Sequence, residues 1–164
     1  RIGYFDESSP LISEETDMNY RIRSAGGKIY CNSKIVVGYY PRETFHGLAK
    51  LYHRYGGARA MLVLKHKYFS SFRQLVPLVY VVLLIIAIIG SFFHAIFLIA
   101  LAILPGAYIL GAFLSAIHAS RKEKRIYIPL TMYSFLCMHV SWTLGFFRVL
   151  FINGVLKKNS TIEA

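Results

Sequence analysis

Residues 74–120 read QLVPLVYVVLLIIAIIGSFFHAIFLIALAILPGAYILGAFLSAIHAS, a run without a single Asp, Glu, Lys or Arg. A helix needs about 20 apolar residues to cross a bilayer, so this run is long enough to cross and return. Leu75 to Phe93 reads as one span and Ala95 to Ala119 as the next, with the turn at Ser91 to His94. Pro105 and Gly106 fall inside the second span, where neighbouring helices can satisfy the freed backbone groups.

Working outward, basic residues bracket the run. Lys65, Lys67 and Arg73 precede it, and Arg121, Lys122, Lys124 and Arg125 follow. That placement is the positive-inside pattern of membrane proteins and suits anionic headgroups. The formal net charge of +11 is therefore assigned to membrane lipids and not to nucleic acid, for which no binding motif accompanies it. The overall charged fraction is 16%, below the quarter or so of an ordinary soluble domain. Cys31 and Cys137 are too far apart in sequence for zinc-type spacing and read as small apolar side chains.

A third apolar stretch, residues 126–152, contains Trp142 and is more polar than the first two, with His139, Ser141 and Arg148. An ionisable group in a membrane stretch is a functional candidate by default, although Arg148 can also snorkel from the span end. A full third span places Lys157 and Lys158 outside, against the positive-inside pattern, so both a full crossing and a partly re-entrant course stay open. His94 reads as a turn residue.

The polar front segment has a different grammar. Ser13 is a suitable N-cap for a helix over 14–25, with Met18, Ile22 and Ala25 on one face and Asp17 and Arg21 paired at i, i+4. Gly26-Gly27 stops it. Two β-prone runs follow, Lys28 to Cys31 and Ile35 to Tyr40, ended by Pro41. Residues 45–66 then form an amphipathic helix whose cationic side holds Lys50, His53, Arg54 and Arg59, suited to the membrane interface, with a bend expected at Gly56-Gly57.

Glu14-Glu15-Thr16-Asp17 is the chain's dense acidic cluster. Carboxylates in a first helical turn complement the helix dipole whatever else they do. They also suit general-base chemistry, in which a positioned carboxylate takes a proton from an attacking hydroxyl.

Three phrases bear on that choice: Gly3-Tyr4-Phe5-Asp6-Glu7, the helix Glu14-Glu15-Thr16-Asp17-Met18-Asn19-Tyr20-Arg21-Ile22-Arg23, and Ala25-Gly26-Gly27-Lys28-Ile29. Together they resemble the end of the catalytic domain of family 2 glycosyltransferases, where a phrase like GGFDE precedes EDxDLxxRLRxAGxxI. The wording is similar to members of the succinoglycan type, which build bacterial exopolysaccharide. Leu51-Tyr52-His53-Arg54-Tyr55-Gly56 stands where that family has QxxRW or QYxRYG, and His139-Val140-Ser141-Trp142-Thr143-Leu144-Gly145-Phe146 resembles its last membrane segment. The resemblance implies Glu15 as catalytic base, Glu14, Asp17 and Arg21 as support of the motif, and His53, Arg54 and Tyr55 near donor phosphates and acceptor. Glu15 stands for the family's Asp, with one more methylene, and Leu51 for its Gln.

The fold implied is an α/β remnant, the C-terminal part of a GT-A domain, followed by an α-helical transmembrane region of about three segments. Residues 1–44 are the catalytic-domain part, 45–73 the interfacial helix region and 74–119 the transmembrane hairpin. Residues 120–125 make a basic cytoplasmic loop, 126–152 the third segment and 153–164 a polar tail. The implied partners are a nucleotide-sugar donor and a lipid-linked or polysaccharide acceptor. The location is a bacterial or archaeal cytoplasmic membrane, with the polar N-terminal part in the cytoplasm. The family binds its donor through an Asp-x-Asp motif and a divalent cation, Mg or Mn, and this sequence has no Asp-x-Asp. The chain opens without Met or a signal-peptide pattern and reads as a piece of a longer protein, inactive alone. The competing reading is a non-catalytic membrane scaffold or accessory subunit; a channel is weaker, because few polar residues are available to line a path.

Overall fold

A computed structural model describes residues 2–5, 14–67, 72–121 and 124–160, with side chains of the last helix described to Asn153. Five α-helices make up the described chain: α1 (Glu14–Ser24), α2 (Phe45–His66), α3 (Leu75–Ser91), α4 (Ile96–Ala119) and α5 (Tyr127–Ser160), with a 3-10 turn at Phe72–Gln74 before α3. No β-strand occurs among the described residues. The expected α/β remnant is therefore corrected to an all-helical arrangement. The physical reason lies in residues 28–40, whose Val36, Tyr39 and Tyr40 are exposed. β-Propensity takes effect only against a neighbouring strand and a covered face, and among the described residues neither is present.

Local rules account for the helix ends. At the end of α1, Gly26 takes φ +81°; the Gly27 N–H donates to the Ile22 carbonyl (2.9 Å) and the Gly26 N–H to the Arg23 carbonyl (3.0 Å). This is the Schellman arrangement, which glycine adopts without Cβ strain. The proposed N-cap, Ser13, lies outside the described residues. Thr44 caps α2, its hydroxyl accepting from the Gly47 N–H at 3.1 Å. Lys67 closes α2 in the left-handed region and donates its N–H to the Val63 carbonyl. The turn between α3 and α4 is held by the Phe93 and His94 N–H groups, both donating to the Gly90 carbonyl.

The longest interface joins α2 to α5, which run side by side in the same direction. Phe45 meets Tyr133 edge-on with ring centroids 4.6 Å apart, His53 lies beside Gly145, and the Asn153 amide reaches the Met61 sulfur. Helix α2 runs unbroken through Gly56-Gly57, and Gly56 is a crossing point. A Cβ on Gly56 would come under 3.0 Å from the Trp142 carbonyl, and one on Gly145 under 3.0 Å from the His53 carbonyl. Small residues let two backbones approach in this way where apolar packing drives helix association. Ala60, Leu78 and Phe146 form the buried cluster where α2, α3 and α5 meet.

Helices α4 and α5 are long and apolar enough to cross a membrane; α3, at 17 residues, is shorter. The core helix of a soluble protein passes the same length test but is covered, whereas none of the most apolar window of α4 is buried. Its Ile99, Ile103 and Leu110 are all more than half exposed. A continuous apolar surface of this kind is suited to lipid and not to water. Three hydroxyls of α5 bond back along their own helix, Thr131 to the Tyr127 carbonyl, Ser134 to Leu130 and Thr143 to His139. That satisfies them without water.

Candidate functional site

The acidic start of α1 divides its carboxylates between two environments. Glu14 and Glu15 are exposed. Asp17, one turn on, is 4% exposed and is surrounded by cationic groups. Its Oδ2 accepts from Arg21 Nε at 2.9 Å, and its Oδ1 takes Lys65 Nζ at 2.9 Å and His66 Nε2 at 2.6 Å. Burial pushes the Asp17 carboxyl upward, but His66, Lys65 and Arg21 together outweigh it, and the net direction is below the usual aspartate range. Tyr20 lies over the His66 ring at 4.2 Å, fixing its position.

Arg21 extends the junction to a third segment. While Nε holds Asp17, Nη1 donates to the Ile2 carbonyl and Nη2 to the Tyr4 carbonyl (2.8 Å). The planar guanidinium has enough donors for all three at once. The two carbonyls converge because Gly3, between them, takes φ +76°, which costs glycine little. Thus residues 2–5, α1 and the end of α2 are joined through one Asp–Arg pair.

The residues expected near phosphates sit elsewhere on α2. Arg54 and Tyr55 are exposed and His53 is half-buried. They lie about 18 Å up the helix from His66, at 1.5 Å per residue over twelve residues. Among the described residues no hydrogen bond or ion pair links Glu15 to Arg54 or Tyr55. His53 faces α5 instead, its Nε2 lying 3.5 Å from Arg148 Nη1. Tyr52 packs edge-on with Tyr55 at 5.7 Å, and burial pushes its phenol upward, so it stays protonated at neutral pH.

No three His, Cys, Asp or Glu side chains come together as a metal site among the described residues. A divalent cation does not fit any cluster that the described residues offer.

Sequence reasoning identified Asp17 and Arg21 as a pair but not Lys65 and His66 as their partners. Nothing in local spacing connects residues nearly fifty positions apart. Gly3 and Gly145 were missed too; an isolated glycine gives no sign of which backbone or side chain approaches it.

Comparison with known proteins gives one relative of weight. The chain is 30% identical over 152 residues to the succinoglycan biosynthesis protein ExoA of Rhizobium meliloti (strain 1021), a match covering 91% of this chain and 43% of that protein. The chain thus spans less than half the length of the relative it matches. No family model and no solved structure matches it. The relative's role in succinoglycan synthesis accords, at that coarse level, with the exopolysaccharide-type resemblance of the motifs.

Proposed function

We propose that this chain is part of a membrane-bound glycosyltransferase of polysaccharide synthesis. It moves a sugar, with inversion, from a nucleotide-sugar donor to a lipid-linked or growing polysaccharide acceptor, and Glu15 is the general base. The observation that carries the assignment of the base is the unequal division of carboxylates on α1. Asp17 already accepts from Arg21, Lys65 and His66 and is 4% exposed, so little of it is open to an incoming hydroxyl. Glu15, two residues before it, is exposed at the same helix start and can take a proton.

The chemistry needs one base and one anion-binding group. As the acceptor hydroxyl attacks the anomeric carbon, its proton passes to the Glu15 carboxylate. The bond to the nucleoside diphosphate breaks on the opposite face, and the electron pair leaves with the phosphate oxygen. Arg54, exposed on α2, is suited to that phosphate because its planar fork bonds two oxygens at once; Tyr55 and His53 flank it. The membrane helices hold the site at the bilayer, in a multi-pass arrangement in a bacterial or archaeal cytoplasmic membrane. Lys65, Lys67 and Arg73 beside α3 favour the cytoplasmic side for the polar N-terminal part.

The test is Glu15→Gln in the native protein, assayed in membranes with a labelled nucleotide sugar. Transfer falls by about 10²–10⁴-fold, the usual contribution of a general base. Glu15→Asp, which keeps the carboxylate, retains more activity than Glu15→Gln. Transfer undiminished in Glu15→Gln overturns the assignment.

A further inference from the structure

The contacts between helices fix which of their ends share one side of a membrane. Helices α3 and α4 form a hairpin. The Phe93 and His94 N–H groups close its turn on the Gly90 carbonyl, and Tyr80 packs on Tyr108 at 5.4 Å. A hairpin returns the chain to the side it left, so the start of α3 and the end of α4 share a side. The start of α3 adjoins the end of α2, since Val63 packs on the cluster that contains Leu78. The end of α4 adjoins the start of α5, with Ser120 Oγ 3.4 Å from Thr131 Oγ1. The end of α2 and the start of α5 are therefore on that side too.

The pairing of α2 with α5 carries the same side along α5. The two helices run in one direction, from Phe45 against Tyr133 to Met61 beside Asn153. Asn153 lies about 39 Å along α5 from Tyr127, at 1.5 Å per residue, which is far enough to have crossed a hydrocarbon core of about 30 Å. Yet it stands beside the end of α2, on the side where α5 began. Helix α5 thus passes from the foot of α4, at Thr131, to the foot of α3, where Phe146 meets Leu78.

The distribution of charge agrees. Lys50 and Arg54 are exposed in the middle of α2, and Arg148 of α5 lies 3.5 Å from His53. If α5 crossed, it would draw its partner α2 and these cations into hydrocarbon, where they are costly. Tyr133, Leu136, Val140 and Leu144 form an exposed apolar stripe on α5, at the three- and four-residue steps of one helix face. An apolar face beside cations suits the boundary between acyl chains and headgroups. Lys157 and Lys158, which a third span would place outside, then stay with the other basic flanks.

We infer that α2 and α5 form a two-helix layer lying in the cytoplasmic interface of the bilayer, and that among the described helices only the α3–α4 hairpin crosses. The partner of this layer is the lipid surface, with the stripe of α5 in the acyl boundary and Lys50 and Arg148 at anionic headgroups. This goes beyond the transferase reading and stands whether or not the chain transfers sugar.

The test uses the native protein with its cysteines replaced by serine. Arg125→Cys, Arg148→Cys and Phe93→Cys, at exposed positions, are treated with a membrane-impermeant maleimide in inside-out and right-side-out vesicles. Arg125→Cys and Arg148→Cys react in inside-out vesicles and lose that reaction in right-side-out ones; Phe93→Cys, in the hairpin turn, shows the reverse. Reaction of Arg148→Cys from the face at which Phe93→Cys reacts, or from neither face, overturns the inference. So does reaction of all three from one face, which would mean that the hairpin does not cross. A second measurement keeps Arg148 in place. A nitroxide on Leu144→Cys reads a depth of about 5–10 Å into the boundary, whereas one on Ile109→Cys, exposed near the middle of α4, reads near the bilayer centre. Equal depths at the two positions overturn the inference.

Discussion

Gly145 of α5 lies so close to His53 of α2 that any Cβ at Gly145 would come under 3.0 Å from the His53 carbonyl oxygen. The reciprocal approach holds at Gly56, whose Cβ would strike the Trp142 carbonyl. The obstructing atoms are backbone in both cases, so no rotamer change relieves the clash. This double contact sets the register between the two helices, and with it the positions of His53 and Arg54.

Gly145→Ala is therefore expected to destabilise the α2–α5 pair by about 1–3 kcal/mol, the usual range for overpacking a tight contact. Gly56→Ala does the same. Once one alanine has forced the helices apart, the second clash is partly relieved, so the double variant costs less than the sum of the two. Thermal unfolding in detergent, followed by the fluorescence of Trp142 at the crossing, measures all three. Additive losses would mean that the two glycines do not share one contact.

The Asp17 junction makes a second prediction. Asp17→Asn leaves Lys65, His66 and Arg21 without their shared anion and loosens α1 from α2. Removing one partner of a buried ion pair costs about 3–5 kcal/mol; Lys65 is 43% exposed, so the lower end applies. The readout is tryptic cleavage after the exposed Arg23, which speeds up as α1 opens locally. The pH dependence has a definite sign. The folded Asp17 carboxyl lies below its unfolded value of about 3.9, so its stabilisation is fully present above that value. It is lost as pH falls through the depressed folded pKa. Faster hydrogen exchange in α1 of the wild type on acidification below about pH 4, corrected for the intrinsic exchange rate and absent in Asp17→Asn, is the expected pattern.

The extent to which these features can be read from sequence depends on where the partner lies. The uncharged run at residues 74–120 needs no distant partner to be recognised, because its own length and composition mark it as apolar enough to cross a membrane. The helix of residues 45–66 is likewise visible from its own composition. Gly56 is different: a glycine in a helix reads equally as a weak point or as a contact surface, and Gly145, far along the chain, decides between them. Asp17 shows the same division, since Arg21 at i+4 is legible and Lys65 and His66 are not. Ile35 to Tyr40 misled for the converse reason. Its β-branched and aromatic residues meet the local rule for a strand, but the ladder that makes a strand is non-local and is absent from the described chain.

Thr44 offers a local control for these long-range effects. Its hydroxyl accepts from the Gly47 N–H at 3.1 Å, meeting one donor at the start of α2 that has no partner within the helix. Thr44→Ala should cost about 1 kcal/mol, and Thr44→Ser or Thr44→Asp should restore it. Hydrogen exchange at the first turn of α2 is the measurement, with faster exchange confined to residues near Gly47. A change spreading to the Gly56 crossing would mean that α2 is held by its cap and not by α5.

Arg54 tests the phosphate assignment without disturbing the fold, because it is exposed and outside the α2–α5 crossing. Arg54→Lys keeps the charge but replaces a two-toothed planar donor with a point charge. If the fork engages two phosphate oxygens, one charge-assisted hydrogen bond is lost, worth about 1.5–3 kcal/mol. The KM for the nucleotide sugar then rises about tenfold or more, and Arg54→Ala raises it further. A group that only bound the acceptor would instead change the acceptor's KM and leave the donor's alone. Circular dichroism should be indistinguishable among wild type, Arg54→Lys and Arg54→Ala, since the side chain supports no helix contact. A normal donor KM in Arg54→Ala would remove this residue from the site, and Glu15 would have to work with an anion partner elsewhere in the protein.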